Sequence, residues 1–125
     1  MKKTFCLTAL ALAIALPALA IIINKDIHKY TLALAPILME VETTTSIDGP
    51  GWKVVGNEAE SLGRHIQDEC KAIDPYVVRV CQSAGRNSRE LNDAIKRNDL
   101  EGAKTAAKTA ANAVLNLMKW TEPKK

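Results

Sequence analysis

Aromatic residues and catalytic sequence motifs are scarce in this chain of 125 residues. Its five aromatic side chains are not interleaved with the basic residues, as a stacking surface for nucleic acid bases requires. The sequence also lacks the G-x-S-x-G, P-loop and G-x-G-x-x-G motifs. These absences argue against nucleic acid as a partner and against serine hydrolases, P-loop nucleotidases and dinucleotide-dependent enzymes. We therefore expect a protein that is not an enzyme.

Cysteine and histidine are also few, with three and two residues. No C-x-x-C pair is present, which argues against a redox-active dithiol, and no C-x-x-C-H, which excludes covalently attached c-type haem. A noncovalent haem in a helical bundle would need an axial histidine on the last helix, and residues 103–120 contain none. We expect no cofactor.

The N-terminus has the pattern of a bacterial signal peptide. A short basic start is followed by 12 mostly apolar residues, Phe5 to Leu16, and then by Pro17 and the A-x-A sequence that ends at Ala20. Cleavage after Ala20 would remove residues 1–20 and leave one small domain, residues 21–125, in the periplasm or outside the cell. Alternatively, the apolar run from Phe5 to Ile23 remains as an uncleaved membrane anchor. Cleavage, our preferred interpretation, leaves no stable anchor.

Export would place the two remaining cysteines in an oxidising compartment. Cys70 and Cys81 then form, most simply, a disulfide that closes a loop of 12 residues.

Periodic apolar residues predict helices on both sides of this loop. The first row contains Val55, Ala59, Leu62, Ile66, Cys70 and Ile73, and the second contains Val77, Cys81, Ala84, Leu91 and Ile95. Asp74 and Pro75 are typical of the start of the second helix. The first helix begins either near Trp52 or at Asn57, where Asn57 and Glu60 resemble a capping pair. Residues 85–88 predict a weak point within the second helix.

A further helix is predicted from a cap at Asn98 or Asp99 to about Trp120. Residues 24–42 fit either a helix or a strand, and we favour a helix because a lone strand has no obvious partner. The sequence therefore predicts an all-α fold, a three- to four-helix bundle with a disulfide across a helical hairpin.

Charge is unevenly distributed along the exported part of the chain. Residues 21–74 contain five bases and nine acids, whereas residues 75–125 contain ten bases and five acids. Either the two halves pair with each other, or the basic half faces an acidic partner. The residues that we expect to bind a partner are large aromatic or arginine side chains, namely Trp52, Arg86, Arg89, Arg97 and Trp120.

Metal ligation has one weak candidate, the pair His65 and Glu69, which are four residues apart on a predicted helix. The spacing is not that of H-E-x-x-H, and a third ligand would have to come from elsewhere. We expect an exposed, acid-flanked histidine and no metal site.

The sequence thus predicts a small exported helical protein that acts by binding another protein of the bacterial envelope or a secreted protein. It would be an immunity protein or inhibitor, or an accessory subunit of a secretion or conjugation machine. The alternatives are a secreted toxic effector and a small metal- or ligand-binding bundle.

Overall fold

A computed structural model of the protein describes residues 22–123, so the predicted signal peptide, residues 1–20, lies outside the described residues. A 3-10 turn, Lys25–Ile27, leads into four α-helices. These are α1 (His28–Thr43), α2 (Pro50–Glu69), α3 (Pro75–Lys96) and α4 (Leu100–Thr121). The prediction of an all-α bundle is confirmed, and the helical interpretation of residues 24–42 is correct.

Short connections make successive helices antiparallel neighbours. α2 packs on α3, α3 on α4, and α4 back on α1, while the contact between α1 and α2 is the smallest of the four. Within residues 22–123, neither diagonal pair of helices is in contact. The bundle is therefore a ring of four helices in which α1 and α3 lie on opposite sides.

Two aspartates cap helices where the sequence predicts. The Asp74 carboxylate accepts a 2.7 Å hydrogen bond from the Tyr76 backbone N–H, and Pro75 occupies the first turn of α3. The Asp99 carboxylate accepts a 3.0 Å bond from the Gly102 backbone N–H at the start of α4. Both caps satisfy a backbone donor that has no partner within its helix.

Of the two predicted starts of α2, the one near Trp52 is confirmed and the one at Asn57 is wrong, because the helix begins at Pro50. Pro50 has the φ angle that a first helical turn needs, and Gly49 before it adopts a φ of 104°. Asn57 and Glu60 consequently lie inside the helix and do not cap it. Their side chains accept hydrogen bonds from the Asn92 amide of α3, at 3.0 and 2.6 Å.

The prediction of a single helix is confirmed for α3, which is continuous from Pro75 to Lys96 and is not interrupted at residues 85–88. Gly85 is buried against Gln67 of α2, and Ser88 is buried against Gly63. Small residues at these positions let the two helix backbones approach closely. Gly85 thus allows close packing of α3 on α2, and this tertiary contact outweighs the low helix propensity of glycine.

The disulfide joins Cys70, directly after α2, to Cys81 on α3, with a Cα–Cα distance of 6.5 Å. This confirms the predicted disulfide across the hairpin. The N-terminal segment is held beside it, because Ile23 forms an antiparallel bridge with Ala72. Asn24 donates to the Glu69 carbonyl at 3.0 Å and accepts from the Lys71 N–H at 2.7 Å.

The core runs through the centre of the ring and contains residues from every helix. Leu34, Leu38, Ile66, Leu91 and Leu117 are among its fully buried side chains. α4 contributes mostly alanines, which allow close approach of both neighbouring helices. Of the helices described, none combines the length and apolar character needed to cross a bilayer.

Candidate functional site: a partner-binding surface on α3 and α4

A shallow, mostly apolar groove runs between α3 and α4. It has a volume of about 300 Å³. Its lining combines one aromatic ring, one arginine and several small polar side chains, namely Tyr76, Arg79, Val80, Ser83, Thr109, Asn112, Ala113 and Asn116. We call these residues, together with the adjoining Trp120, the α3–α4 surface.

Two aromatic rings form one end of the α3–α4 surface. Tyr76 and Trp120 meet edge to face, with ring centroids 6.0 Å apart and an interplanar angle of 66°. The Tyr76 ring is exposed, and Trp120 is partly buried against the core. Because Pro75 and Asp74 fix the first turn of α3, the position of Tyr76 is set by the helix start. The two rings are thus prearranged, and the Tyr76 ring is accessible.

Direct ion pairs do not join the basic half of the chain to its acidic half among the described residues. Among residues 22–123, each ion pair joins two groups of the same half. Arg97, for example, lies 3.5 Å from Glu90 and 3.7 Å from Asp99. Pairing of the two halves is therefore not seen as ion pairs, although the Lys96 charge on α3 helps to lower the pKa of Glu60 on α2. Arg79 and Arg86 are exposed on α3 and take part in none of these pairs.

The partner-binding candidates named from the sequence do not form one surface. Trp52 is partly buried at the start of α2, one turn before Gly56, which packs against Asn92 near the end of α3. It therefore lies at the opposite end of the bundle from Trp120, which contacts the first turn of α3.

The arginine candidates are also spread over different parts of the bundle. Arg89 lines a separate polar groove of about 270 Å³ with Glu60, Arg64 and Asp68, between α2 and α3. Arg97 follows the end of α3 and lines another groove with Asp99.

His65 and Glu69 do meet, as their spacing predicts, with the His65 Nδ1 2.7 Å from a Glu69 carboxylate oxygen. Tyr30 of α1 stacks on the His65 ring at 4.9 Å and donates to both Glu69 oxygens at 3.1 Å. The hydrogen bond from His65 is the main factor that lowers the pKa of Glu69; partial burial opposes it, and the Tyr30 hydroxyl and the nearby Lys29 charge assist it. No cluster of three or more His, Cys, Asp or Glu side chains suited to a metal ion occurs in residues 22–123. The contacts of Tyr30 with His65 and Glu69 therefore join α1 to α2.

Tyr76 and Arg79 are the residues that sequence reasoning did not single out. Their signal is the spacing of Tyr76, Arg79 and Ser83 at three and four residues, which places them on one helix face. Only the packing of α4 beside that face makes it a groove, and the periodicity of α3 alone does not reveal which helix lies there.

Comparison with protein families, with characterised proteins and with solved structures finds no significant match to this chain.

Proposed function

We propose that this protein is exported and acts by binding an acidic surface of another envelope or secreted protein through the α3–α4 surface. It would serve as an immunity protein or inhibitor, or as an accessory subunit of a secretion or conjugation machine. One observation carries the proposal: the exposed Tyr76 ring, supported by the partly buried Trp120, lies at the groove that Arg79 lines, and Arg79 has no ion pair within residues 22–123.

The composition of the surface supports protein binding. Tyrosine, tryptophan and arginine are the residues that contribute most binding energy in protein interfaces, particularly at the edge of apolar pockets. The small polar side chains around the groove, such as Ser83 and Asn112, can exchange hydrogen bonds with a partner without burying a charge. The excess of basic residues in the same half of the chain would speed encounter with an acidic partner.

The predicted signal peptide and the disulfide support export. Disulfides persist in oxidising compartments such as the periplasm, and Cys70 and Cys81 are joined. If residues 1–20 are removed, the protein purified from the periplasm should begin at Ile21 by mass spectrometry. A mass that includes residues 1–20 would contradict cleavage and favour the anchored alternative.

Charge reversal on two faces of the bundle tests the binding proposal. Arg79→Glu places a negative charge in the groove, and Lys53→Glu makes the same change on the exposed side of α2. Both variants should retain the melting temperature of the parent. In quantitative affinity capture from periplasmic extract, Arg79→Glu should lose the stoichiometric partner, while Lys53→Glu should retain it.

Equal capture by both variants would contradict the assignment of the surface. Absence of any stoichiometric partner for the unmodified protein would contradict the function itself.

A further inference from the structure

The solvent-facing side of α1 carries a second row of apolar side chains. Leu32, Pro36 and Met39 follow one another at four and three residues and so share a helix face. Leu32 is 50% exposed and Met39 is 61% exposed. The core-facing row of the same helix, Thr31, Leu34, Leu38 and Val41, is fully buried. α1 is therefore apolar on two opposite sides, which is typical of a helix that is covered on both.

The exposed row continues onto α4. Leu115 is 56% exposed and lines a cavity of about 280 Å³ with Leu32 and Met118. We call Leu32, Pro36, Met39 and Leu115 the α1 patch. It faces away from α3, which lies across the ring from α1.

We infer that the α1 patch is covered by the same patch of a second copy of this chain, related by a twofold axis. In such an interface each copy offers one surface to itself, so an antiparallel pair of α1 helices is the simplest arrangement. If Leu32 of one copy opposes Met39 of the other, the axis passes close to Pro36. At each end of the interface, Leu32 of one copy then contacts Met39 of the other.

Charge complementarity supports a second copy as the occupant. On α1, Lys29 and Glu40 lie near opposite ends of the exposed row and towards the same flank. In an antiparallel helix pair, side chains on the same flank adjoin, so Lys29 of each copy comes to the level of Glu40 of the other. Within residues 22–123 neither side chain forms an ion pair, although Lys29 lies 5.1 Å above the Tyr30 ring and near enough to Glu69 to help lower its pKa.

A lipid surface fits the same patch less well. Membrane-bound helices usually carry lysine and arginine beside their apolar face, where these attract anionic headgroups. Around the α1 patch the bases Lys29 and Lys119 are matched by the acids Glu40 and Glu42, so the patch has no basic rim. An anionic bilayer would repel both carboxylates.

The test is the molecular mass of the purified protein, as its bacterial host processes it, measured by sedimentation over a range of concentrations. We expect a reversible dimer. Met39→Lys should raise the dissociation constant of the dimer by about tenfold or more, because the new lysine would bury an unpaired charge in the interface. Val54→Lys is the matched control, since Val54 is 65% exposed on α2, outside the patch, and should leave the constant unchanged.

Charge reversal tests the register. Lys29→Glu and Glu40→Lys should each weaken the dimer by about tenfold, since two pairs are reversed in every dimer. The double variant should restore the parent constant, which a merely structural effect of either change would not do. If Met39→Lys lowers the melting temperature, oxidation of Pro36→Cys gives a second readout. It should form a covalent dimer, whereas Val54→Cys should not.

Two outcomes overturn the inference. One is a monomer at every concentration up to about 0.5 mM, because a dimer of biological relevance would form well below that concentration. The other is a dimer that Met39→Lys and the charge reversals leave unchanged. A monomer that binds vesicles of phosphatidylethanolamine and phosphatidylglycerol, and loses this binding in Leu32→Asp, would show that a bilayer covers the patch. The inference does not depend on the α3–α4 surface, so its failure leaves the proposed function intact.

Discussion

At the scale of single residues, glycines decide how closely α2 and α3 pack, because they have no side chain. A Cβ atom added at Gly63 would lie 2.5 Å from the Ser88 Cβ, and the helix backbones would have to separate. Sequence periodicity marks Ala59 and Ile66 as inward-facing, but it cannot say that Gly63 beside them is a contact point. Glycine in a helix pattern predicts a weakness, and only the neighbouring helix shows that it is an adaptation to close packing.

Gly63→Ala should therefore destabilise the protein although alanine is the better helix former. We expect the free energy of unfolding in urea to fall by about 1–3 kcal/mol, the usual effect of overpacking. Gly51→Ala is the control, because a Cβ atom there meets nothing within 4 Å. It should raise the free energy of unfolding by about 0.4–1 kcal/mol. A stabilised Gly63→Ala would contradict the close packing of α2 on α3.

The hydrogen bond from Asn92 to Glu60 should make stability depend on pH. This bond is the main cause that lowers the pKa of Glu60 below its ordinary value of 4.5, with burial opposing and Arg64 assisting. A lowered pKa in the folded state stabilises the fold above pH 4.5, and the contribution is lost as the pH falls through the folded-state pKa.

The stability difference between the parent and Glu60→Gln should accordingly change below pH 4.5 and be constant above it. Chemical denaturation from pH 3 to pH 7 measures this difference. In an Asn92→Ala background the pH dependence of the same difference should shrink, because the main donor is gone. A difference that is flat over the whole range in both backgrounds would contradict the role of the hydrogen bond.

At the scale of helices and their connections, the corner between α2 and α3 is fixed from two sides. The disulfide joins Cys70 to Cys81, and the segment at Ile23 and Asn24 bonds to the chain just before and after Cys70. Sequence alone predicts the disulfide, because the predicted export and the cysteine number suffice. It does not predict the Asn24 contacts, which join residues more than 40 positions apart.

Reduction of the disulfide should lower the melting temperature. A closed loop of 12 residues corresponds to about 3 kcal/mol of denatured-state entropy, or roughly 10 °C or more for a domain of this size. Calorimetry with and without reductant measures the shift. The double variant Cys70→Ser, Cys81→Ser should melt at the reduced temperature and show no response to reductant. A shift below about 3 °C would contradict a stabilising role.

The helices themselves were predictable to different degrees. The rows at Val77 and Leu91 and the Asp74 cap depend only on local sequence, so α3 is predicted at the correct start. For α2 the sequence leaves two starts open, because Asn57 and Glu60 resemble a capping pair although they accept hydrogen bonds from α3. Local patterns cannot distinguish these two uses.

At the scale of the whole molecule, the ring arrangement turns a charge difference along the chain into a difference between two sides. The half with the excess of acids forms α1 and α2, and the half with the excess of bases forms α3 and α4. The ion pairs within residues 22–123 stay inside each half, and on the basic side Arg79 and Arg86 take part in none of them. The sequence predicts this asymmetry and places Tyr76 and Trp120 in the basic half, but it does not predict that the two rings meet.

The central claim is that α3 and α4 form the surface that meets a partner protein. Photo-crosslinking in living cells tests it most directly, with benzoylphenylalanine placed at Asn112 in the groove or at Val54 on α2, both exposed positions. We predict a single crosslinked product of defined mass from Asn112 and none from Val54. Products from Val54 alone, or no product from Asn112, would contradict the account.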